Sequence, residues 1–429
     1  MTRRGATREE ATLVIETVGA RGDGVAYHAG KPIYLPFTAP GDSVKARLGD
    51  LRGSGREAEL IELLSPGARQ APVCRHFGSC GGCALQHLDD DAYRRMKEAQ
   101  VEAALAQHGL TCEIAPLRRL APGTRRRARF AIRRPSRPTA PPVVGFSMRA
   151  RHQIIDMQVC AALHPAVFGL VKPLREIVPL LWPAGSTGAA TVTLGDTGLD
   201  VLIDLATVPD LAMLETLGEF AARQDLARLA WRALDSNEPT PVAIRRPPRI
   251  VFAGIPVDLP GDAFLQASAE AEEVLVREVL AGVGDGERVA DLFAGLGTFT
   301  FALAEHAIVH AVEGSQRMVA ALSAAASRAG LDGRITAETR DLERQPLLAD
   351  ELKRSDAVVF DPPRAGATAQ SAALAASAVP RIAAVSCNPA SFARDARSLV
   401  DGGYRLTHVQ PIDQFVWSPH VELVARFER

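Results

Sequence analysis

Aromatic residues are scarce, at 5% of 429 residues, and there are only six cysteines. Six cysteines in a chain of this length do not make a disulfide scaffold. Long apolar runs are missing as well. The uncharged stretch from Ile177 to Gly195 is interrupted by Pro179, Pro183 and Gly185, which makes it a poor membrane span. The opening MTRRGATREE has charge but no apolar stretch, so it does not read as a secretory signal. There is no low-complexity tract and no long internal repeat. Disorder, collagen and coiled coil are excluded as the main architecture. The expectation is a cytoplasmic protein, a monomer, with no membrane partner. What is present is an ordinary globular balance, 47% apolar and 23% charged, in a length that suggests two to three domains at roughly 150 residues each.

One further absence is local. The formal net charge is −1, yet between Glu113 and Asp156 there is no acid and there are eleven arginines, from Arg118 to Arg151. Residues 1–160 carry a net +9 and residues 161–429 a net −10. A solvated charged face is the bland account. An arginine run without interleaved acid fits a polyanion better, because the guanidinium fork pairs with phosphate and stacks on bases.

Three textures divide the chain. Residues 1–68 read as short strands separated by the turn signals GARGDG and APGD, an all-β module of OB-like size. Residues 69–256 hold a cysteine knuckle, an amphipathic helix over about 92–108 that is a candidate to pack on the C-terminal domain, the arginine run, and an α+β section with a helix over Asp210–Arg223. From 257 to 429 strands and helices alternate, which implies a parallel sheet with helices on both faces. Ser268 is placed to cap the first of these helices. The last two strands have no helix between them and should pair antiparallel at one edge. The fold class expected is α/β: a small N-terminal β-barrel, an α+β middle with a metal-cluster knuckle, and a Rossmann-like, seven-stranded C-terminal domain.

In VADLFAGLGTFTFALA, Gly295 and Gly297 follow a strand and open a helix, where backbone amides can approach a ligand. Glu313 lies 22 residues after Asp291, at the end of the next strand, where an acid can bind ribose hydroxyls. The third glycine of the dinucleotide fingerprint is replaced by Thr300. That favours a nucleoside without phosphates, such as S-adenosylmethionine, over NAD. Asp341 follows the third strand and is placed to reach an adenine. The fourth strand ends in DPPRAG (Asp361–Gly366) and the fifth in SCNP (Ser386–Pro389). Ligands of open parallel sheets bind at these strand ends, so Cys387 sits where a nucleophile would meet a methyl donor. Upstream, Cys74, Cys80 and Cys83 are spaced C-x5-C-x2-C, and Cys160 could add a fourth thiolate. Four thiolates suit zinc or an iron–sulfur cluster, and spacing alone leaves both open, with His76 an optional zinc ligand.

DLFAGLGTF, DPPRAG, SCNPASFARD and the terminal HVELV resemble the RNA uracil-5-methyltransferases, and the likeness spans the whole chain. It is greatest with the 23S rRNA enzymes that carry a TRAM domain and a 4Fe–4S cluster. The resemblance implies a TRAM-like, RNA-binding first domain and a cluster held by Cys74, Cys80, Cys83 and Cys160, with Cys112 structural. It implies a cofactor site for S-adenosylmethionine lined by Gln266, Phe293, Thr298, Glu313, Asp341 and Asp361, with Phe264 at the target base. Cys387 would be the nucleophile and Glu422 the base that removes the C5 proton. The RNA partner would be 23S rRNA, with tRNA the alternative. A catalytically inactive, cluster-bearing RNA-binding protein is the rival from another class, and intact Cys387 and Glu422 speak against it. Two stretches depart from the relatives: Thr298 stands where Asn is frequent, and Val416, Trp417 and Ser418 replace Pro-His-Thr. A cytosine-5 enzyme would carry a second cysteine in the DPPRAG loop, which has none.

Overall fold

The computed structural model describes residues 9–53, 55–137, 139–149, 153–236, 238–261 and 263–429. Arg151 of the arginine run and the first eight residues of the N-terminal decapeptide lie outside the described residues.

Six strands between Glu10 and Ser65 form the first sheet. Its two outermost strands, Glu10–Val14 and Thr17–Val18, are successive parts of one extended run. The sheet therefore bends round on itself, over a core that includes Leu13, Ile15, Ile33, Leu35, Val44 and Leu48. Val44, Ala46 and Leu48 alternate with Lys45 and Arg47, the period-2 pattern of a half-buried strand.

The second sheet has seven strands, and Arg127–Arg133 lies inside it between Val143–Ser147 and Thr187–Gly195. The same alternation sorts this strand: Ala128, Phe130 and Ile132 enter the core, while Arg129 and Arg133 face out. Helices Val171–Leu181 and Leu211–Arg223 cover the inner face. The first of these was not evident from sequence, because it contains two prolines. Pro173 falls in the first turn, where no intrahelical N–H is needed, and only Pro179 interrupts the helix.

The third sheet runs in the order Ile335–Thr339, Ile308–Glu313, Arg288–Leu292, Ala357–Phe360, Arg381–Ser386, Glu422–Glu428, Arg405–Ile412 and Glu113–Ile114. The first five are parallel, and Glu422–Glu428 is antiparallel to both neighbours. The alternation of strand and helix and the terminal antiparallel pair are as expected. The seven strands that residues 257–429 contribute are also as expected; what was not expected is Glu113–Ile114, from outside that range, which adds an eighth strand beside Arg405–Ile412 and covers that edge. Two residues are too short to carry a periodic signal. Helix Asp90–Gln107, capped by Asp89, packs Tyr93, Met96, Val101 and Leu105 against Phe392, Leu399, Val409 and Leu423. The chain between the knuckle and the arginine run is thus built into the core of the C-terminal sheet.

Candidate active site and cysteine cavity

Strand direction brings the candidate residues to one end of the third sheet. Phe293, Asp361 and Cys387 each follow the last residue of a parallel strand, and Glu313 ends one. Glu422 begins the antiparallel strand, so its first residue lies at that same end, opposite Ile412. All of Gln266, Phe293, Thr298, Glu313, Asp341, Asp361, Cys387 and Glu422 line one cavity of about 570 Å³. Phe264 stands at its rim, 61% exposed.

The loop after the first parallel strand is shaped for close approach. Phe293, Gly295 and Gly297 have φ of 61°, 57° and 96°. A side chain on Gly297 would press on the Phe301 ring, whereas the space over Gly295 is open. Both Glu313 oxygens accept backbone N–H bonds, from Gly295 (3.0 Å) and Ser315 (2.8 Å), which fixes the acid at the cavity wall. Asp341 is held by the amide of Glu343 at 3.1 Å. The hydroxyl of Thr300, where a third glycine was missing, donates to buried Asp291 at 2.6 Å.

The floor of the cavity is a chain of side-chain amides and acids. Gln266 Nε2 donates to Asp361 (3.1 Å), and Gln414 Nε2 donates to Gln266 Oε1 and to Glu422 Oε2 (2.9 Å each). Burial raises Asp361 to about 7. Burial and then the Asp361 charge push Glu422 well above the usual carboxylate range, against the Gln414 hydrogen bond. Cys387 is pushed up to about 11 by burial and by Glu422 and Asp361, with Arg364 pulling the other way. Two buried acids and a thiol facing one cavity are arranged for a ligand that carries positive charge, which would relieve their repulsion.

Gln414 was not singled out from sequence, Arg126 was read only as one of the arginine run, and Arg364 only as part of DPPRAG. Arg126 is buried, pairs with Glu272 at 2.5 Å and donates from Nε to the Gln266 carbonyl at 2.9 Å. It ties the arginine-rich strand to the cavity floor. The arginine run is also less unpaired than it reads. Acids far away in sequence meet it: Asp90 at Arg119 (2.6 Å), Glu272 at Arg126, Asp204 at Arg129 (2.5 Å) and Asp23 at Arg149.

Cys74, Cys80, Cys83 and Cys160 line a second cavity of about 560 Å³, with Arg125, Phe146 and Met157 among its walls. Among the described residues no three His, Cys, Asp or Glu converge closely enough to share a single metal ion. His76 lines the cavity, but its Nε2 already accepts the Gln158 N–H at 3.0 Å. Cys112 packs beside the core of the third sheet. A third cavity of about 350 Å³ shares Arg125, Ala128 and Arg129 with the cysteine cavity, and Phe264, Leu265 and Phe415 with the one holding Cys387. No helix among the described residues is long and apolar enough to cross a membrane.

Residues 257–429 match the family described as tRNA (Uracil-5-)-methyltransferase. An uncharacterized RNA methyltransferase of Brucella suis is 41% identical over 96% of this chain and 96% of its own length. The 23S rRNA (uracil(1939)-C(5))-methyltransferase of Chromohalobacter salexigens is 37% identical over 97% of this chain and 89% of its own. Among solved structures, the Pyrococcus abyssi tRNA (uracil-54, C5)-methyltransferase, in complex with S-adenosyl-L-homocysteine, shares the fold with a TM-score of 0.73. It is 23% identical, covering 97% of this chain and 100% of that one.

Proposed function

This chain belongs to the RNA uracil-5-methyltransferase family, whose activity is S-adenosylmethionine-dependent methylation of uracil C5 in RNA, and we propose that it acts on 23S rRNA through a covalent adduct between Cys387 and uracil C6. The observation that carries the adduct is the shared cavity in which Cys387, Glu422 and Asp361 meet.

Uracil C5 is a weak nucleophile. When the Cys387 thiolate adds to C6, a C6–S bond forms and C5 becomes enolate-like. S-adenosylmethionine, when bound, supplies a methyl group on a cationic sulfur, and Glu313, Asp341 and the Phe293–Gly297 loop are the residues that would hold its nucleoside. C5 would take the methyl group as its bond to that sulfur breaks, leaving the neutral thioether; Glu422 accepts the C5 proton, and the C6–S bond breaks to return the thiolate. Burial serves Glu422 here, because a carboxylate held above its usual range binds the proton more tightly. Burial works against Cys387, whose thiol needs Arg364 and a cationic ligand nearby to ionise.

Cys74, Cys80, Cys83 and Cys160 would hold a 4Fe–4S cluster, supported by their common cavity. Its place beside Arg125 and the strand Arg127–Arg133 favours ordering of an RNA-binding surface over electron transfer. The passage between the two cavities, lined by Arg125, Arg127, Arg129, Phe264 and Phe415, sets arginine side chains beside aromatic faces, a lining that favours a single strand. Residues 1–68 would add a TRAM-like RNA contact. Ribosomal RNA is favoured over tRNA by the relative acting on 23S rRNA that matches nearly full length. Mapping 5-methyluridine in rRNA and tRNA from a strain lacking the gene tests this. Loss from 23S rRNA alone is expected, and loss from tRNA alone would overturn the target.

A further inference from the structure

Gln414 lies two residues past the strand Arg405–Ile412, and its side chain is buried. Its orientation is dictated by its surroundings. The backbone N–H of Ala267 can only donate, and it points at Gln414 Oε1 at 3.2 Å. The amide nitrogen must therefore face the other way, where its two hydrogens go to Glu422 Oε2 and Gln266 Oε1. That in turn fixes Gln266 with its own nitrogen toward Asp361. Two amides thus stand in line between two buried acids, each giving a hydrogen to its acid.

We propose that Gln414 is a positioning residue for proton removal, holding Glu422 ionised and leaving Glu422 Oε1 as the oxygen that accepts the C5 proton. The inference rests on the proposed reaction. An amide hydrogen on Oε2 stabilises the charged carboxylate and does little for the neutral acid, so Gln414 opposes burial and the repulsion from Asp361. It also spaces the two acids. Without it they could approach and share one proton, which would leave Glu422 unable to take another. The other charged and titratable groups around Glu422 are Asp361 and Cys387, with Arg364 acting on Cys387. His420 and Asp413 lie on the loop that leads into it, and Lys97, on helix Asp90–Gln107, pairs with Asp413.

The test compares the full-length protein, purified with its cluster, with Gln414→Met, which keeps the shape and removes the amide. A mixture of rRNA and tRNA transcripts tritiated at uridine C5 is the substrate, and tritium release is followed from pH 5.5 to 9. The acid limb of the variant should move up by about one pH unit, with release at pH 6.5 down on the order of tenfold, as loss of one hydrogen bond to an ionised carboxylate implies. Covalent protein–RNA complex should build up on denaturing gels, because the lost step follows methyl transfer. If Gln414→Met is insoluble, Gln414→Asn withdraws the amide by one methylene and should shift the limb the same way. An unchanged limb, or a loss equal at every pH, would overturn the role of Gln414. Wild-type protein that releases no tritium from either RNA would instead overturn the proposed reaction.

Discussion

The ammonium of Lys97 lies 2.5 Å from the Asp413 carboxylate, and neither side chain reaches solvent. Burial pushes Lys97 down, and the Asp413 charge and hydrogen bond oppose that. The pair is tolerated because its remaining valences are filled. Lys97 also donates to the carbonyls of His420 (2.6 Å) and Phe415 (3.3 Å), and Tyr93 donates to the second Asp413 oxygen at 2.7 Å. The Trp417 N–H, on a residue with φ of 59°, donates back to the Tyr93 oxygen at 2.9 Å. The Trp417 carbonyl accepts from Ala84 (2.9 Å) and Leu85 (3.1 Å), next to Cys83. Residues 413–421, which include Val416, Trp417 and Ser418, are thereby fastened to helix Asp90–Gln107 and to the knuckle. Gln414 and Glu422 lie at either end of that loop.

Lys97→Met should be strongly destabilising. It leaves Asp413 buried with Tyr93 as its main donor and strips two carbonyls of a partner. Breaking a buried pair from one side costs about 3–5 kcal/mol. Urea unfolding of the variant should show that loss. The double variant Lys97→Met/Asp413→Leu should recover part of it, because no charge is then stranded. A Lys97→Met protein within about 1 kcal/mol of wild type would mean that water reaches Asp413.

Cys387→Ala should abolish methyl transfer and leave S-adenosylmethionine affinity nearly intact by calorimetry. RNA carrying 5-fluorouridine should trap the wild type covalently, since fluorine cannot leave as a proton. In the free protein the thiol should alkylate slowly at neutral pH, with a rate that climbs toward pH 11 and no plateau below pH 9, as its raised pKa requires. Arg364→Gln, which removes a nearby cation favouring the thiolate, should slow alkylation further. Normal turnover by Cys387→Ala would remove the nucleophile assignment.

Protein purified without oxygen should be brown and hold iron and sulfide at about four each per chain, as a single cubane requires. Serine at Cys74, Cys80, Cys83 or Cys160 should lose the colour, while Cys112→Ser should keep it. Stoichiometric zinc without sulfide would reject the cluster.

Much of this site was legible in the sequence because its residues sit at strand ends. Alternating strands and helices place Phe293, Glu313, Asp361 and Cys387 at one edge by topology alone, whatever their partners. The acids that neutralise Arg119, Arg126, Arg129 and Arg149 were not legible, since an ion pair across a fold leaves no periodic trace. Gln414 was hidden for the same reason: its partners are Ala267, Gln266 and Glu422, two of them nearly 150 residues upstream. The strand Glu113–Ile114 escaped because two residues show no alternation, and its pairing depends on an edge formed some 300 residues later.

Glu422 carries the last prediction. If it accepts the C5 proton, Glu422→Gln should still allow Cys387 to add and C5 to be methylated. Elimination would then stall, because the amide cannot take the proton. The result should be a long-lived complex between protein and methylated RNA, formed with ordinary uridine and seen on denaturing gels with labelled RNA and cofactor. Cys387→Ala should form none, and the double variant should behave like Cys387→Ala. Steady-state rate should fall roughly 10²–10⁴-fold, the usual worth of a positioned general base. The pH dependence follows in sign: Glu422 must be ionised to act, and burial beside Asp361 raises its pKa. Elimination in the wild type should therefore fail on acidification well above the ordinary carboxylate range. Asp361→Asn, which removes a like charge, should move that limb to lower pH. A Glu422→Gln enzyme turning over within a few-fold of wild type would take Glu422 out of the mechanism and make His420, two residues before it, the next group to test.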